Sequence, residues 1–382
     1  MTGPKIRVLI CDDSIVIRRL ITDVLKADDE IEVVGTAVNG KNALDKLPML
    51  KPDIMTLDVE MPVMDGLQTL VEVRKRDKKL PIIMFSTLTE RGAGATLDAL
   101  ERGASDYVTK PANVGSVSES MEAVRSQLIP KIKSLTGHAP MPPRRARPAF
   151  GGEPPRGADA PGAAAGAAGP AGPITTAGRS GKVDLVAIGV STGGPDALTT
   201  VIQHLPGNLP VPIVVTQHMP PVFTQLFAQR LDSKSALKVV EARNGEPVTP
   251  GKVLIAPGDY HMRLKRSGDI VTAVLDQGPQ ENYCRPAVDP MFRSAAEVYG
   301  GNVLSVIMTG MGQDGHRGAD PILRAGGSLL VQDEATSVVW GMPGAAVAAG
   351  LPCDIIPLPQ LPEAITSRAM SGRDATSRSG RA

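Results

Sequence analysis

Between Val183 and Leu198, in the stretch VDLVAIGVSTGGPDAL, an apolar run stops at a hydroxyl set among glycines, Gly189-Val190-Ser191-Thr192-Gly193. A helical pattern follows at once. A strand that only filled a core would not need to end on a small nucleophile at a tight turn. A sharp strand-to-helix turn lifts such a serine above a sheet, the logic of the GxSxG elbow. Gly193 and Gly194 leave room for a substrate, and Pro195 suits the first helical turn. Gly-rich turns of this kind also receive phosphates at helix N-termini. The turn alone therefore admits two chemistries, acyl transfer and anion binding.

Serine is a poor nucleophile until a neighbouring base takes its proton. The chain has five histidines. His138 falls in a region of linker composition, and His204 lies in the body of the helix after Ser191. His218 ends the apolar run VPIVVTQH, His261 follows IAPGDY, and His316 follows TGMGQDG at a helix start. The strand-end position favours His218 as the base, with His261 as a site-lining residue and His316 on the surface. A base needs a carboxylate to fix its tautomer and stabilise the imidazolium. Asp314 closes VLSVIMTGMGQD, a third strand-end position, in a loop whose glycines can aim backbone N–H groups at an oxyanion. Asp259, Asp289 and Asp333 compete for that role, and the last two also read as cap or turn residues. The order Ser191, His218, Asp314 is not the serine-acid-histidine order of α/β-hydrolases.

A second polar cluster lies near the N-terminus. Asp12 and Asp13 follow one apolar run, Asp58 closes another, Ser86 closes a third, and Lys110 follows a fourth. The carboxyl ends of strands in an open α/β sheet form its site crevice. Carboxylates gathered there repel one another unless a hard cation such as Mg²⁺ is present.

Both clusters need strands that end together. Ile6–Ile10, Ile31–Val34, Ile54–Leu57, Pro81–Phe85 and Tyr107–Val108 read as five short buried strands, alternating with helical patterns such as SIVIRRLITDVLKA. This alternation predicts a parallel sheet covered on both faces. Further along, VDLVAIGVS, VPIVVTQH, GKVLIAPG, NVLSVIMTG and GGSLLVQD are strand-like, several followed by helical stretches, again α/β. From His138 to Gly181 the chain is dominated by Ala, Gly and Pro, which cannot bury enough apolar surface to offset ordering entropy. The expected division is a first domain over 1–134, a flexible linker over 135–181, a second domain over 182–368 and a disordered tail over 369–382.

With these residues in place, the first domain resembles the receiver domain of response regulators, through ICDDS, TLDVEMPVMDG and YVTKP. The resemblance implies a (βα)5 fold in which Asp58 accepts a phosphoryl group from a histidine kinase. Mg²⁺ would be held by Asp12, Asp13, Asp58 and the backbone carbonyl of Glu60. It further implies that Ser86, rather than Thr87, receives a phosphate oxygen, that Lys110 pairs with the anion, and that Tyr107 reports the switch by changing rotamer. The second domain resembles the catalytic domain of the CheB family of chemotaxis methylesterases. The matching motifs are IGVSTGGP, QHMP, APGDYHM, RPAVDPMFRSAA, TGMGQDG and LRAGGSLLVQDEATSVVWGMPGAA. This implies a doubly wound α/β methylesterase domain with Ser191, His218 and Asp314 as triad, the Met311 backbone at the oxyanion site and Thr192 beside the nucleophile. The implied reaction is hydrolysis of glutamyl methyl esters on chemoreceptors, and deamidation of selected receptor glutamines, without a cofactor for the esterase step. Activation by phosphorylation would relieve occlusion by the first domain.

Composition narrows the remaining classes. Lys plus Arg number 41 against 40 Asp plus Glu, and aromatics are 3%, which disfavours nucleic-acid binding. Residues 182–368 show no basic recognition helix. Cys11, Cys284 and Cys353 have no CxxC spacing and read as reduced thiols of a cytoplasmic protein, with no membrane-inserted segment. The principal rival is a receiver joined to a phosphate- or nucleotide-binding output domain. GVSTGG, however, lacks the lysine of a P-loop and the later acidic residue that would hold a ribose.

Overall fold

Strands whose residues are apolar on both faces can only be buried between layers of helices, and this chain has two such sets. The computed structural model describes residues 4–111, 117–138 and 181–371. In the first domain, β1 (Ile6–Cys11), β2 (Ile31–Ala37), β3 (Ile54–Asp58), β4 (Ile82–Ser86) and β5 (Asp106–Thr109) form a parallel sheet in the order β2-β1-β3-β4-β5. Helices α1 (Ile15–Lys26), α2 (Gly40–Leu50), α3 (Gly66–Arg76), α4 (Glu90–Glu101) and α5 (Val117–Leu135) connect or follow the strands. Their starts are written locally. Ser14, Asn39 and Thr89 each accept a bond from an early helical N–H, and Asp65 with Gln68 forms a reciprocal capping box. All five strands expected from sequence are present, each within a few residues of its expected limits.

The second domain is built on β6 (Leu185–Val190), β7 (Ile213–Gln217), β8 (Lys238–Glu241), β9 (Lys252–Ile255), β12 (Val303–Ile307), β13 (Ser328–Gln332) and β14 (Asp354–Ile356). They pair in parallel in the order β14-β13-β12-β6-β7-β9-β8. An antiparallel hairpin, β10 (His261–Ser267) with β11 (Ile270–Asp276), packs on α8 (Val288–Tyr299). The other helices are α6 (Gly194–Ile202), α7 (Phe223–Lys234), α9 (His316–Arg324), α10 (Gly341–Ala348) and α11 (Leu361–Met370). The chain passes from β6 to β7 on one side and later returns on the other side of β6 at β12. The β12/β6 boundary is thus a topological switch point, where open α/β sheets place their sites.

Sequence reading missed β8, β14 and the β10–β11 hairpin. Strand β10 is amphipathic, with Met262 and Leu264 buried and Lys265 and Arg266 exposed, so it carries no continuous apolar run, whereas the IVTAVL of β11 was a usable signal. Helix α5 extends to Leu135 and α11 to Met370. The Ala/Gly/Pro-rich stretch from 139 to 180 and the tail from 372 lie outside the described residues. Among the described residues no helix is long and apolar enough to cross a membrane. All three cysteines are free thiols, as expected.

The two domains share a core. Leu97, Leu100 and Tyr107 of the first belong to the same buried apolar cluster as Leu198, Phe223 and Phe227 of the second. Tyr107 stacks on Phe223 with ring centroids 4.7 Å apart and planes 6° from parallel. Around that stack, Arg230 reaches Asp98 at 2.6 Å and the Gly94 carbonyl at 2.7 Å, and Lys234 reaches Glu101 at 2.9 Å.

Candidate active site and phosphoacceptor site

Ser191, His218 and Asp314 follow β6, β7 and β12, three adjacent strands in the order β12-β6-β7. Val190 pairs with Gln217, so the next residues, Ser191 and His218, leave neighbouring strands side by side, about 5 Å apart at the backbone. The serine turn is braced from below. Gln217 Nε2 donates to the Ser191 carbonyl at 3.0 Å, and Thr309 Oγ1 donates to the Thr192 carbonyl at 2.9 Å. Ser191 does not cap α6: the N-cap position is Gly193, in the left-handed region at φ 73°, with no side-chain cap. Its hydroxyl is left for other work, against the rival view of the serine as a mere cap.

Asp314 anchors the imidazole. Its Oδ2 accepts from His218 Nε2 at 2.8 Å and from the Val288 N–H at 2.6 Å. Its Oδ1 accepts from Asn282 Nδ2 at 2.8 Å, the Asp289 N–H at 3.0 Å and the Gly315 N–H at 2.9 Å. Burial opposes the anion, yet the bonds from His218 and the backbone donors hold the Asp314 carboxyl below its usual range. With Nε2 committed to Asp314, Nδ1 is the nitrogen left to accept a proton. It faces Cys284 Sγ at 3.5 Å. Burial works to lower the His218 pKa, but Cys284 and Asp314 together push it up to about 10. Among the described residues no hydrogen bond joins the Ser191 hydroxyl to His218.

The glycine loop comes as close as its composition implied. A Cβ on Gly310 would lie 2.8 Å from the Ser191 Cβ, so only glycine lets the loop approach the nucleophile. Met311 follows directly. It lines a cavity of about 780 Å³ together with Asn282, Tyr283, Val338 and Trp340 of the second domain. The opposite wall is α5 of the first domain, through Ile129, Pro130 and Lys133. Thr192, expected beside the nucleophile, is buried, and its hydroxyl donates to Asp106 Oδ2 of the first domain at 2.7 Å.

Other candidates fall away from this centre. His261 is fully buried, with Nε2 on the Pro279 carbonyl and Nδ1 accepting from the Ala287 N–H, so it supports the fold and does not line the site as expected. His204 and His316 bond local carbonyls of Thr200 and Gln313. Asp259 pairs with Arg285, and Asp333 closes the turn at Thr336. Asp289 does act as a cap, but for a different helix. Its Oδ1 accepts from Gly315 and Gly318 at the start of α9. Gln217, Asn282 and Cys284 were missed. A polar residue closing the run IVVTQ was a usable signal for Gln217; the other two sit in a loop without periodicity.

In the first domain, Asp12, Asp13 and Asp58 offer oxygens all within 4.8 Å of one another. Lys110 Nζ lies 2.7 Å from Asp58 Oδ2 and 3.1 Å from Asp12 Oδ2. Those two buried oxygens accept no well-formed hydrogen bond, so the ammonium offsets their charge without saturating them. Burial, and then the nearby Asp12, raise the Asp58 carboxyl to about 6 in spite of Lys110. Hard, under-satisfied oxygens of this kind suit a divalent cation such as Mg²⁺. The Glu60 side chain turns away to Arg91 at 3.2 Å, leaving only its backbone for the cluster. Ser86 donates to the Gly92 carbonyl at 3.0 Å, and Thr87 faces Thr89.

Residues 186–365 match the CheB methylesterase family, and residues 8–122 match the response regulator receiver domain. A protein-glutamate methylesterase/protein-glutamine glutaminase of Nocardioides sp. is 53% identical over 365 residues, 96% of each chain. A protein of the same name from Trichodesmium erythraeum is 48% identical over 372 residues, covering 96% of this chain and 99% of its own. The crystal structure of the Thermotoga maritima CheB methylesterase catalytic domain is 46% identical, with a TM-score of 0.48, covering 49% of this chain and 98% of that one.

Proposed function

The chain belongs to the CheB methylesterase family, carrying both its receiver and its catalytic domain, and from that premise we propose a triad and its control. The enzyme is a protein-glutamate methylesterase and protein-glutamine glutaminase that acts on cytoplasmic chemoreceptor helices. His218 Nδ1 takes the Ser191 proton as Oγ attacks the ester carbonyl. The same nitrogen returns the proton to departing methoxide, and water repeats the sequence on the acyl-enzyme to give glutamate and methanol. With a glutamine side chain the leaving group is ammonia. The Met311 N–H, carried beside Ser191 by Gly310, and the Thr192 backbone are the donors for the developing oxyanion. The single observation that carries the triad is the 2.8 Å bond from His218 Nε2 to a buried, multiply bonded Asp314, on the strand ends flanking Ser191.

Asp58 is the phosphoacceptor, served by a histidine kinase. Asp12, Asp13, Asp58 and the Glu60 carbonyl would hold Mg²⁺, whose charge offsets that of an acyl phosphate. Lys110 pairs with the same anion. Ser86 must turn from the Gly92 carbonyl to meet a phosphate oxygen. A rotamer change at Tyr107 breaks its stack on Phe223, worth about 1 kcal/mol beyond burial, and so loosens the domain contact beside Thr192. The unphosphorylated receiver walls the cavity with α5 and restricts the receptor helix. Incubating the full chain with methyl-labelled receptor, with and without a small phosphodonor, tests both parts. Methanol release that rises with the donor and vanishes in Ser191→Ala is expected; release independent of Ser191 would overturn the triad. Removing residues 1–134 should raise basal release, and an unchanged or lower rate would count against occlusion.

A further inference from the structure

Asp314 and Asp289 are both about 1% exposed, and two buried carboxylates at close quarters repel unless something stands between them. The Gly315 N–H bonds Oδ1 of both, and among the described residues one side chain joins them as well. Asn282 Nδ2 lies 2.8 Å from Asp314 Oδ1 and 3.0 Å from Asp289 Oδ2. An amide nitrogen has two hydrogens and a carboxylate has none, so both partners being acceptors fixes the amide's orientation. The turn that presents Asn282 is built for the purpose. Glu281 and Cys284 pair across it, and both central residues have positive φ, 52° at Asn282 and 63° at Tyr283. Asn tolerates that region, whereas a tyrosine there costs about 1 kcal/mol or more. The ends are pinned by Glu281 to Arg293 at 2.6 Å and Arg285 to Asp259 at 2.6 Å.

We propose that Asn282 is a positioning residue for the esterase reaction: its amide bridges Asp314 and Asp289, so that the Asp314 carboxylate stays in the plane that meets His218 Nε2. This rests on the triad assigned above. Asp289 is committed elsewhere, since its Oδ1 holds the N–H groups of Gly315 and Gly318. For its Oδ2, among the described residues, the hydrogen-bond donor is Asn282. Without the amide, Asp289 Oδ2 loses its donor, and Asp314 Oδ1 keeps only the Asp289 and Gly315 N–H groups. The cheapest relief is rotation of Asp314 away from His218. The shift in pKa has the same sense: Asp314 is held low while burial and Asp314 itself push Asp289 up.

The test uses the full chain with a phosphodonor and methyl-labelled receptor, comparing wild type, Asn282→Asp, Asn282→Gly and Ser191→Ala. Asp keeps the shape and the left-handed tolerance but replaces a donor by a third acceptor. Gly keeps the turn and only deletes the amide. Both should lower kcat by about 100-fold and about 10-fold respectively with KM within about twofold, the scale on which misaligned catalytic groups cost rate. The low-field proton resonance of His218 Nε2–H should weaken or move in both. If Asn282→Asp retains wild-type kcat and an unmoved resonance, the bridge has no positioning role and the proposal falls. A measurement without mutation stands beside these: in wild type, the Asn282 side-chain amide resonances should shift as His218 titrates, and unresponsive resonances would also overturn it. Ser191→Ala separates the two ideas. If that variant stays active the triad is wrong, whereas a dead Ser191→Ala with a fully active Asn282→Asp rejects only the positioning role.

Discussion

Two acidic centres sit at the carboxyl ends of parallel strands in this chain, and they are satisfied to opposite degrees. Asp58 in the receiver is buried beside Asp12, offset by one ammonium, and raised to about 6. Asp314 in the catalytic domain is also buried, yet it accepts from His218, Asn282 and three backbone N–H groups and is held below its usual range. The same residue type at equivalent places in two sheets thus serves different ends. Under-satisfied oxygens suit the cation and phosphoryl group proposed for the receiver. Over-satisfied oxygens hold a partner still. Burial alone does not distinguish the two; the number of donors does.

The strongest way to break this contrast is through the nucleophile proposed to be served by the rigid centre. Ser191→Ala should reduce methanol release by about three orders of magnitude or more, measured on folded protein with labelled receptor. The waiting centre should matter only for control. Asp58→Asn should abolish the response to a phosphodonor while basal release persists; a large fall in the basal rate would mean that Asp58 supports the esterase directly. Between these lies the seam. Asp106 accepts from Thr192 at 2.7 Å and from Lys131 at 2.8 Å. Losing a buried hydrogen bond to a charged group costs about 1.5–3 kcal/mol, so Asp106→Ala should raise the unphosphorylated rate about tenfold. A decrease would show that the contact aids catalysis.

A pH profile sharpens the comparison further. His218 is raised above the usual histidine value to about 10, and a protonated imidazole cannot take the Ser191 proton. Release by the unphosphorylated chain should therefore climb with pH well beyond neutrality. Cys284→Ala removes one of the two groups that raise His218, so the rising limb should move to lower pH; no movement would deny the thiol any influence. The smallest effect concerns the interface ion pairs Arg230–Asp98 and Lys234–Glu101, which are partly exposed. Moderate salt should change the basal rate by less than about twofold, because exposed pairs contribute about 0–1 kcal/mol. A steep salt dependence would assign the seam to charge instead of the Tyr107–Phe223 stack.

Much of the architecture was readable before any coordinates. Runs such as IRVLIC over Ile6–Cys11 and LVAIGV over Leu185–Val190 announce buried strands, and the residues that end them announce the sites. The reading failed where pattern is weak. His261 follows the strand-turn IAPGDY, which suggests a site-lining residue, yet it is a fully buried brace between Pro279 and Ala287. Asn282 and Cys284 left no periodic trace because loop residues are placed by the pinned turn around them. Asp289 is a cap, as its residue type suggests, but of a helix that starts 27 residues later in the chain, beyond any local rule.

The sequence by itself determined which side chains stand at strand ends, since burial period and turn chemistry are local properties of the chain. It thereby singled out Ser191, His218, Asp314 and the cluster around Asp58. Only the tertiary structure decided that His218 uses Nε2 for its carboxylate and Nδ1 toward Cys284, that the Asn282 amide bonds two buried acids, and that Thr192 is held by Asp106. Those are choices of rotamer and partner between segments far apart in order. They are fixed by packing and by the need to satisfy every buried polar atom, which no local pattern encodes.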